Sequence, residues 1–161
     1  MWFKINNDNL DYINKAPYNI SNEVIINASP EKVFSVLTDK SWINWFHDFK
    51  DMTWTSPAPY GKGSTRVVNL KTLSVKETIL AWEKEKRYSF VITDLTLPLV
   101  KDMVEDMQFE KTPEGNTKMS WKVYYTPTLM MSIIHPIARM IFGSMFTKSI
   151  NNFKNFVEKQ S

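Results

Sequence analysis

Residues 21–47 read SNEVIINASPEKVFSVLTDKSWINWFH and contain the pattern that decides the fold. Val24 and Ile26 alternate with more polar neighbours, which is typical of a β-strand with one well-buried face. Ser29 is a favoured helix N-cap, and Pro30 occupies the first helical position, where a missing N–H costs nothing. The pattern therefore predicts a strand that leads directly into a short amphipathic helix.

A second short helix is predicted immediately after the first. Asp39 can cap it, and the segment that follows carries four large apolar side chains, Trp42, Ile43, Trp45 and Phe46. This is too much apolar surface for an exposed loop. We expect the two short helices to close one end of a sheet.

The hydrophobic period then changes from helical spacing to alternation. Turn signals at residues 56–63 and 113–116 separate segments that are rich in β-branched and aromatic residues. Six strands are predicted in this region, and with the first strand they make seven: Met52–Thr55, Ser64–Leu70, Val75–Trp82, Tyr88–Asp94, Val100–Lys111 and Thr117–Tyr125.

A long amphipathic helix is predicted from about residue 136 to residue 158. One stripe of it is apolar: Ala138, Phe142, Met145, Phe146, Ile150, Phe153 and Val157. Residues 1–17 are expected to be a short helical or irregular lead-in, and residues 1–161 a single domain. The helix is the only predicted element large enough to cover a concave sheet. We therefore predict an α+β helix-grip fold, in which a seven-stranded antiparallel sheet wraps around the C-terminal helix and two short helices follow strand one.

Composition argues against several classes of function. The 161 residues include no cysteine, which removes thiol catalysis, disulfides and cysteine-based metal sites. Two histidines alone predict neither a metal site nor a catalytic triad, so we expect no metal and no cofactor. The charges that sum to +3 are interspersed, which argues against nucleic acid as a partner. The N-terminus lacks a signal-peptide pattern, so we expect a cytoplasmic protein, with a monomer as the default state.

Short motifs occur in a characteristic order over nearly the whole chain: Val24–Phe34, Trp42–Phe46, Gly61–Arg66, Glu77, Trp82–Glu83 and Arg87–Phe90. Each motif is loose, but their order resembles the START-like or SRPBCC superfamily, and within it most of all the polyketide cyclase/dehydrase-like proteins. Bet v 1-type allergens belong to the same superfamily. The resemblance implies a helix-grip fold. It leaves the activity open, because members bind or transfer lipids, close polyketide rings, or have no assigned role.

Large, soft side chains dominate the face of the sheet that we expect to line a cavity. The predicted ligand-binding positions of this face and of the helix are Tyr88, Phe90, Met103, Met107, Trp121, Val123, Tyr125, Phe142 and Phe146, together with the charged residues discussed below. Methionine adapts its shape and aromatic rings offer stacking faces, so this lining suits a flexible apolar or aromatic ligand. The alternative is a core that these side chains simply fill.

Arg66 and Glu77 are charged residues on the apolar face of one predicted hairpin. Any loop of even length at residues 71–74 places them opposite or diagonal to each other. Because unmatched charges on an apolar face are costly, we interpret them first as a structural ion pair at the cavity rim. The alternative is a polar anchor for a ligand carboxylate, carbonyl or hydroxyl.

Glu105 is the candidate for acid–base chemistry. Glu105 and Asp94 both have inward parity, and either could act as a general base if burial raised its pKa toward neutrality. Asp94 lies near a strand end, so Glu105 is the better candidate. In an enzymatic interpretation, as a cyclase, dehydratase or aromatase, Arg66 or Tyr88 would polarise a carbonyl while Glu105 moves a proton. We prefer a binding protein, because nothing in the sequence demonstrates catalysis.

Residues 128–146 are more apolar than one buried helix face requires. Pro136 and Arg139 lie in the middle of this segment and argue against a transmembrane helix. It is either a methionine-rich gate at the cavity mouth or a surface that contacts a membrane or partner. The first predicted function is the binding, transport or sequestration of a small hydrophobic or lipid-like ligand. The alternatives are the enzyme and an interaction module that uses residues 129–142 in transient membrane contact.

Overall fold

The computed structural model of the protein describes residues 1–6 and 9–160, so two residues of the lead-in lie outside the description. In chain order the strands and helices are β1 (Phe3–Lys4), a 3₁₀ helix (Leu10–Asn14), β2 (Tyr18–Ile26), α1 (Pro30–Thr38), a second 3₁₀ helix (Ser41–Asn44), β3 (Phe49–Trp54), β4 (Thr65–Leu70), β5 (Ser74–Glu83), β6 (Arg87–Leu95), β7 (Val100–Lys111), β8 (Thr117–Pro127), α2 (Leu129–Ile133) and α3 (His135–Lys159).

Strands β2 to β8 form the predicted seven-stranded antiparallel sheet. The order across the sheet is β2-β8-β7-β6-β5-β4-β3, so β3 to β8 form a continuous meander and β2 closes onto its last strand. Antiparallel strands that follow each other along the chain need only short turns, and the turn signals of the sequence lie between them. The predicted α+β helix-grip fold is confirmed.

The lead-in contains a strand that the sequence does not predict. β6 pairs with β7 only as far as Val91 and Val104, and beyond that point β1 pairs with the edge of β6 that is left open. The amide of Ile5 donates to the carbonyl of Thr93 at 2.9 Å, and that of Asn6 to Lys101 at 3.1 Å. These bonds satisfy backbone groups that would otherwise lack partners inside the sheet.

Both predicted short helices form, but the N-cap of the second is Lys40 and not Asp39, whose Oδ1 accepts from the backbone N–H of Ser41 at 2.6 Å. Ser29 is the N-cap of α1, and its hydroxyl accepts from the backbone N–H of Lys32 at 3.3 Å. Trp42 in the second 3₁₀ helix donates from its indole Nε1 to the carbonyl of Leu37 at 2.7 Å. Trp42 is 4% exposed, and its ring centroid lies 4.5 Å from that of Trp45. The segment Trp42–Phe46, which we call the aromatic turn, packs its rings against Trp121 of β8 and Phe153 of α3 and so lies between the sheet and the last helix.

The last helix runs within one residue of its predicted limits at each end. Phe146, Ile150 and Phe153 of the predicted apolar stripe are buried against the sheet, whereas Phe142 is only partly buried. The hydroxyl of Ser149, on the same side, accepts from the backbone N–H of His47 at 3.0 Å and ties the helix to the aromatic turn. The helix thus covers the concave face of the sheet over its C-terminal half and leaves space under its N-terminal half.

The inward orientation expected for Asp94 is wrong. The register between β5 and β6 shifts at Thr93, so that Ile92 pairs with Glu77 but Asp94 pairs with Lys76. The extra residue reverses the alternation, and the apolar Leu95 lies on the inner face in its place. Asp94 is therefore no candidate for chemistry inside the domain.

Candidate ligand-binding site

A cavity of about 110 Å³ lies between the sheet and the N-terminal half of α3. Its inner end is formed by residues of strands β4 to β8, where Arg66 pairs with Glu77 and Glu105 lies between Phe90 and Val123. All five of these side chains are buried. Because their strands are neighbours and their side chains share one face, the register alone brings them together.

The outer end of the cavity is lined by partly exposed side chains from two turns and the helical segment. Leu73 comes from the β4–β5 turn, Leu99 from the segment between β6 and β7, and Met103 from β7. His135 and Arg139, at the start of α3, complete this end. We call this partly exposed end the mouth of the cavity. Part of its wall consists of turns, which are generally more mobile than the strands they connect.

Aromatic rings surround the guanidinium of Arg66. Its central carbon lies 5.0 Å from the ring centroid of Phe90, 5.2 Å from Trp42, 5.5 Å from Trp54 and 5.8 Å from Tyr88. These distances are within the range of favourable cation–π contacts. The charge of Arg66 is therefore stabilised from several sides although the side chain is only 2% exposed.

Arg66 also forms the ion pair that the sequence predicts. Its Nε donates to Oε2 of Glu77 at 2.6 Å, and its Nη1 to the sulfur of Met52 at 3.1 Å. The predicted position at the rim is wrong, because both partners lie at the inner end of the cavity. Burial raises the pKa of Glu77 and the guanidinium opposes this shift. Arginine stays charged in proteins, so an ionised Glu77 is the state that leaves no buried charge unmatched.

Glu105 is a buried carboxyl group with a different environment. Its Oε2 accepts a hydrogen bond from the indole Nε1 of Trp121 at 2.9 Å. Among the described residues the ion pair of Arg66 is with Glu77, and Glu105 has no ion pair of its own. Burial and, to a smaller extent, the Glu77 carboxylate raise the pKa of Glu105 to about 8. At neutral pH Glu105 is therefore a protonated acid that can donate a hydrogen bond into the cavity.

A polar cluster lies at the mouth. The hydroxyl of Tyr125 and Nε2 of His135 are hydrogen-bonded at 2.8 Å. The ring centroids of His135 and Tyr18 are 4.1 Å apart. The guanidinium of Arg139 is 6.0 Å from the Tyr18 ring and donates to the carbonyl of Asn19 at 3.1 Å. These contacts attach the start of α3 to the edge strand β2.

The structure brings most of the predicted ligand-binding residues together around the cavity. Those that line it are Arg66, Glu77, Phe90, Met103, Glu105, Val123, Tyr125, Phe142 and Phe146. Three others, Tyr88, Met107 and Trp121, have the predicted inward orientation but are enclosed in the core beyond the inner end. Alternation along a strand gives the face of a residue, but it does not give the extent of a cavity along that strand.

Sequence reasoning missed the side chains that the turns and short helices contribute. Leu73 and Leu99 lie in segments that the sequence assigns to turns, Phe46 follows the second 3₁₀ helix, and Met131 lies in α2. An apolar residue inside a polar turn is the signal that could have identified the first two, since turns are normally polar. Among residues 1–6 and 9–160 no three potential metal ligands come together.

The seven-stranded antiparallel sheet around a long C-terminal helix defines a helix-grip protein. Residues 18–158 match the family described as polyketide cyclase/dehydrase and lipid transport, and the chain belongs to this family. An uncharacterized protein of Mycobacterium tuberculosis is 32% identical over 114 residues, which cover 70% of this chain and 68% of that protein. The resemblance predicted from the sequence is confirmed at the level of the family.

Solved structures show the same fold at low sequence identity. A START superfamily protein from Mycobacterium smegmatis has a TM-score of 0.75 at 11% identity, with 89% of this chain and 99% of that chain covered. The Zhui aromatase/cyclase of a Streptomyces species has a TM-score of 0.76 at 10% identity, with 89% and 94% covered. At such identities the likeness establishes the architecture and leaves the ligand to be argued from the cavity.

We predict that the Arg66–Glu77 pair behaves as a matched unit. Glu77→Leu leaves a buried guanidinium without its counter-ion and should lower the free energy of unfolding by about 3–5 kcal/mol. The double variant Arg66→Met with Glu77→Leu removes both charges and should recover most of this loss. Urea unfolding followed by tryptophan fluorescence measures both. A single variant that costs less than about 1 kcal/mol would show that water already reaches the pair.

The raised pKa of Glu105 predicts a pH-dependent stability. A group that binds its proton more tightly in the folded protein contributes stability at low pH, and this contribution is lost as pH rises from the unfolded pKa through the folded one. With a pKa of about 8 against a usual 4.5, the loss between about pH 5.5 and pH 8 is roughly 3 kcal/mol. Glu105→Gln should lack this component. Urea unfolding at a series of pH values measures the free energy of unfolding of the wild-type protein and of Glu105→Gln. If this free energy changes with pH equally in both proteins, the pKa of Glu105 is near its ordinary value.

Proposed function

We propose that the protein binds a small, uncharged, amphipathic molecule in the cavity, with its polar group at Glu105. The observation that carries this proposal is the buried Glu105 carboxyl group, which lies without an ion pair beside the matched Arg66–Glu77 pair at the inner end of a largely apolar cavity. Apolar walls favour a hydrocarbon or aromatic body by removing it from water. A buried hydrogen-bond donor without a ligand partner is costly, so it favours a ligand that offers an acceptor such as a carbonyl or hydroxyl oxygen.

Charge at the inner end favours a neutral ligand over a carboxylate. Arg66 is already matched by Glu77, so its positive charge is not available for a second anion. A ligand carboxylate would lie beside Glu77 and would lack a counter-ion in a region of low dielectric. We therefore expect ketones, alcohols and phenols to bind better than fatty acids of equal size.

The size of the cavity limits the ligand in this conformation. A cavity of about 110 Å³ accommodates roughly one ring, since an apolar cavity of about 150 Å³ in another protein holds benzene. Larger molecules require movement of the walls. Met103, Met131 and Met145 line the cavity, and methionine changes shape at low cost. A lipid-like ligand, as the description of the family suggests, would enter by displacing these side chains.

An enzymatic role is the second candidate, and the raised pKa of Glu105 favours it. An acid with a pKa of about 8 can deliver a proton to a ligand oxygen at neutral pH. One structural relative, at 10% identity, is described as an aromatase/cyclase. Tyr88 lies outside the cavity, so in this version Glu105 supplies the proton and Arg66 the nearby positive charge. Turnover lost in Glu105→Gln with ligand affinity retained would support catalysis over binding alone.

The binding proposal predicts a clear preference between two probes of equal shape. Acetophenone and benzoate are planar and have the same number of heavy atoms, but only benzoate is charged. At pH 7 acetophenone should bind at least about tenfold more tightly, a difference of 1.4 kcal/mol. The affinity for acetophenone should fall above pH 8, where the Glu105 carboxylate can no longer donate a hydrogen bond. Glu105→Gln should keep the affinity for acetophenone and lose its pH dependence. Chemical-shift titration by NMR measures the preference between the two probes, the pH dependence and the effect of Glu105→Gln.

Two tryptophan variants on β8 serve as the matched controls. Val123→Trp fills the cavity and should abolish acetophenone binding, whereas Lys122→Trp, on the opposite face of the same strand, should leave it unchanged. Benzoate binding as tightly as acetophenone, or unchanged affinity in Val123→Trp, would contradict the proposed site.

A further inference from the structure

Seven large apolar side chains are at least half exposed on α2 and the first turns of α3, with exposures from 50% to 81%. They are Leu129, Met130, Ile133, Ile134, Ile137, Met140 and Ile141, and we call them the α2–α3 apolar surface. An isolated exposed apolar residue is ordinary, but a continuous group of this size on a soluble domain marks a site of interaction. Within the described residues no helix is long and apolar enough to span a bilayer.

The α2–α3 apolar surface lies on the outer side of the same helical segment that covers the cavity. Met131, Ala138 and Phe142 of this segment face inward and line the cavity, between the exposed residues of the surface. The segment is interrupted at Ile134, where the backbone leaves helical geometry between α2 and α3. Whatever covers the surface therefore touches the wall at the cavity mouth, and the break gives that wall a point at which it can bend.

The charges around the surface select the kind of partner. From Leu129 to Val157, the stretch that forms α2 and most of α3, the sequence has no Asp or Glu and carries Arg139, Lys148 and Lys154, the last of which pairs with Glu158. Arg139 lies between Ile137 and Met140 of the surface and is exposed, and Lys148 is exposed further along α3. Apolar side chains bordered by basic ones and free of acidic ones are typical of segments that lie in the interface of an anionic bilayer.

We propose that the α2–α3 apolar surface docks the protein on anionic lipid bilayers, with the cavity mouth facing the membrane. The apolar side chains insert between the headgroups, and Arg139 and Lys148 contact the phosphates. Burial of about seven large side chains supplies a favourable free energy that grows with the apolar area removed from water. Exchange of a ligand between bilayer and cavity follows from the same geometry, and this last step alone rests on the proposed function.

Co-sedimentation with vesicles tests docking without any cavity ligand. The protein should sediment with vesicles of phosphatidylcholine containing 30% phosphatidylglycerol, bind at least about tenfold more weakly to phosphatidylcholine alone, and dissociate as salt is raised. Met130→Asp with Ile134→Asp should lower the affinity at least about tenfold. Ile25→Asp with Ile43→Asp makes the same charge change at exposed apolar residues outside α2 and α3, and should bind as the wild type does.

Two further measurements keep the test decisive. Hydrogen exchange of the wild-type protein should show protection confined to residues 128–142 when anionic vesicles are added, a result that does not depend on any variant folding. Val123→Trp should dock normally, which separates a failure of docking from a failure of ligand binding. No sedimentation with anionic vesicles, or sedimentation that survives the Met130/Ile134 variant, overturns the proposal. Protection of the same residues by concentration-dependent dimerisation alone would assign the surface to a second copy of the chain instead.

Discussion

A buried guanidinium needs a counter-charge, and this requirement governs the inner end of the cavity. Arg66 is almost fully buried, and the register of the β4–β5 hairpin places Glu77 directly opposite it. Rings from the aromatic turn and from β3 and β6 surround the charge. Arg66 therefore links the second short helix to the sheet. A shift in the hairpin register would leave its charge unmatched in low dielectric, and a shift of the helix would remove one of the rings that stabilise it.

The environment of Glu105 follows from the same pairing. Because Arg66 is matched by Glu77, Glu105 is buried with a hydrogen bond from Trp121 in place of a positive charge, and it keeps its proton at neutral pH. The result is an apolar cavity with a neutral donor at its inner end and a polar cluster at its mouth. The helix α3 is fully packed only over its C-terminal half, and this uneven packing leaves the space that a ligand can use.

Much of this architecture could be predicted from the sequence because it depends on local patterns. Helix N-cap residues and the alternation of apolar and polar residues predicted the order of the helices and strands. An even loop length in the β4–β5 hairpin predicted that Arg66 lies opposite Glu77. The bulge at Thr93 could not be predicted, since counting along a strand assumes that every residue is paired. The enclosed positions of Tyr88 and Trp121, and the pKa of Glu105, depend on depth, which is a property of the assembled domain.

The central claim is that the cavity holds an uncharged amphipathic molecule. Native mass spectrometry of the protein purified from its own host, followed by identification of any released compound, tests it most directly. We expect a one-to-one adduct of a neutral molecule with a carbonyl or hydroxyl group, and we expect it to be absent from Val123→Trp. A bare mass in repeated gentle preparations, or a released carboxylic acid, would contradict the account.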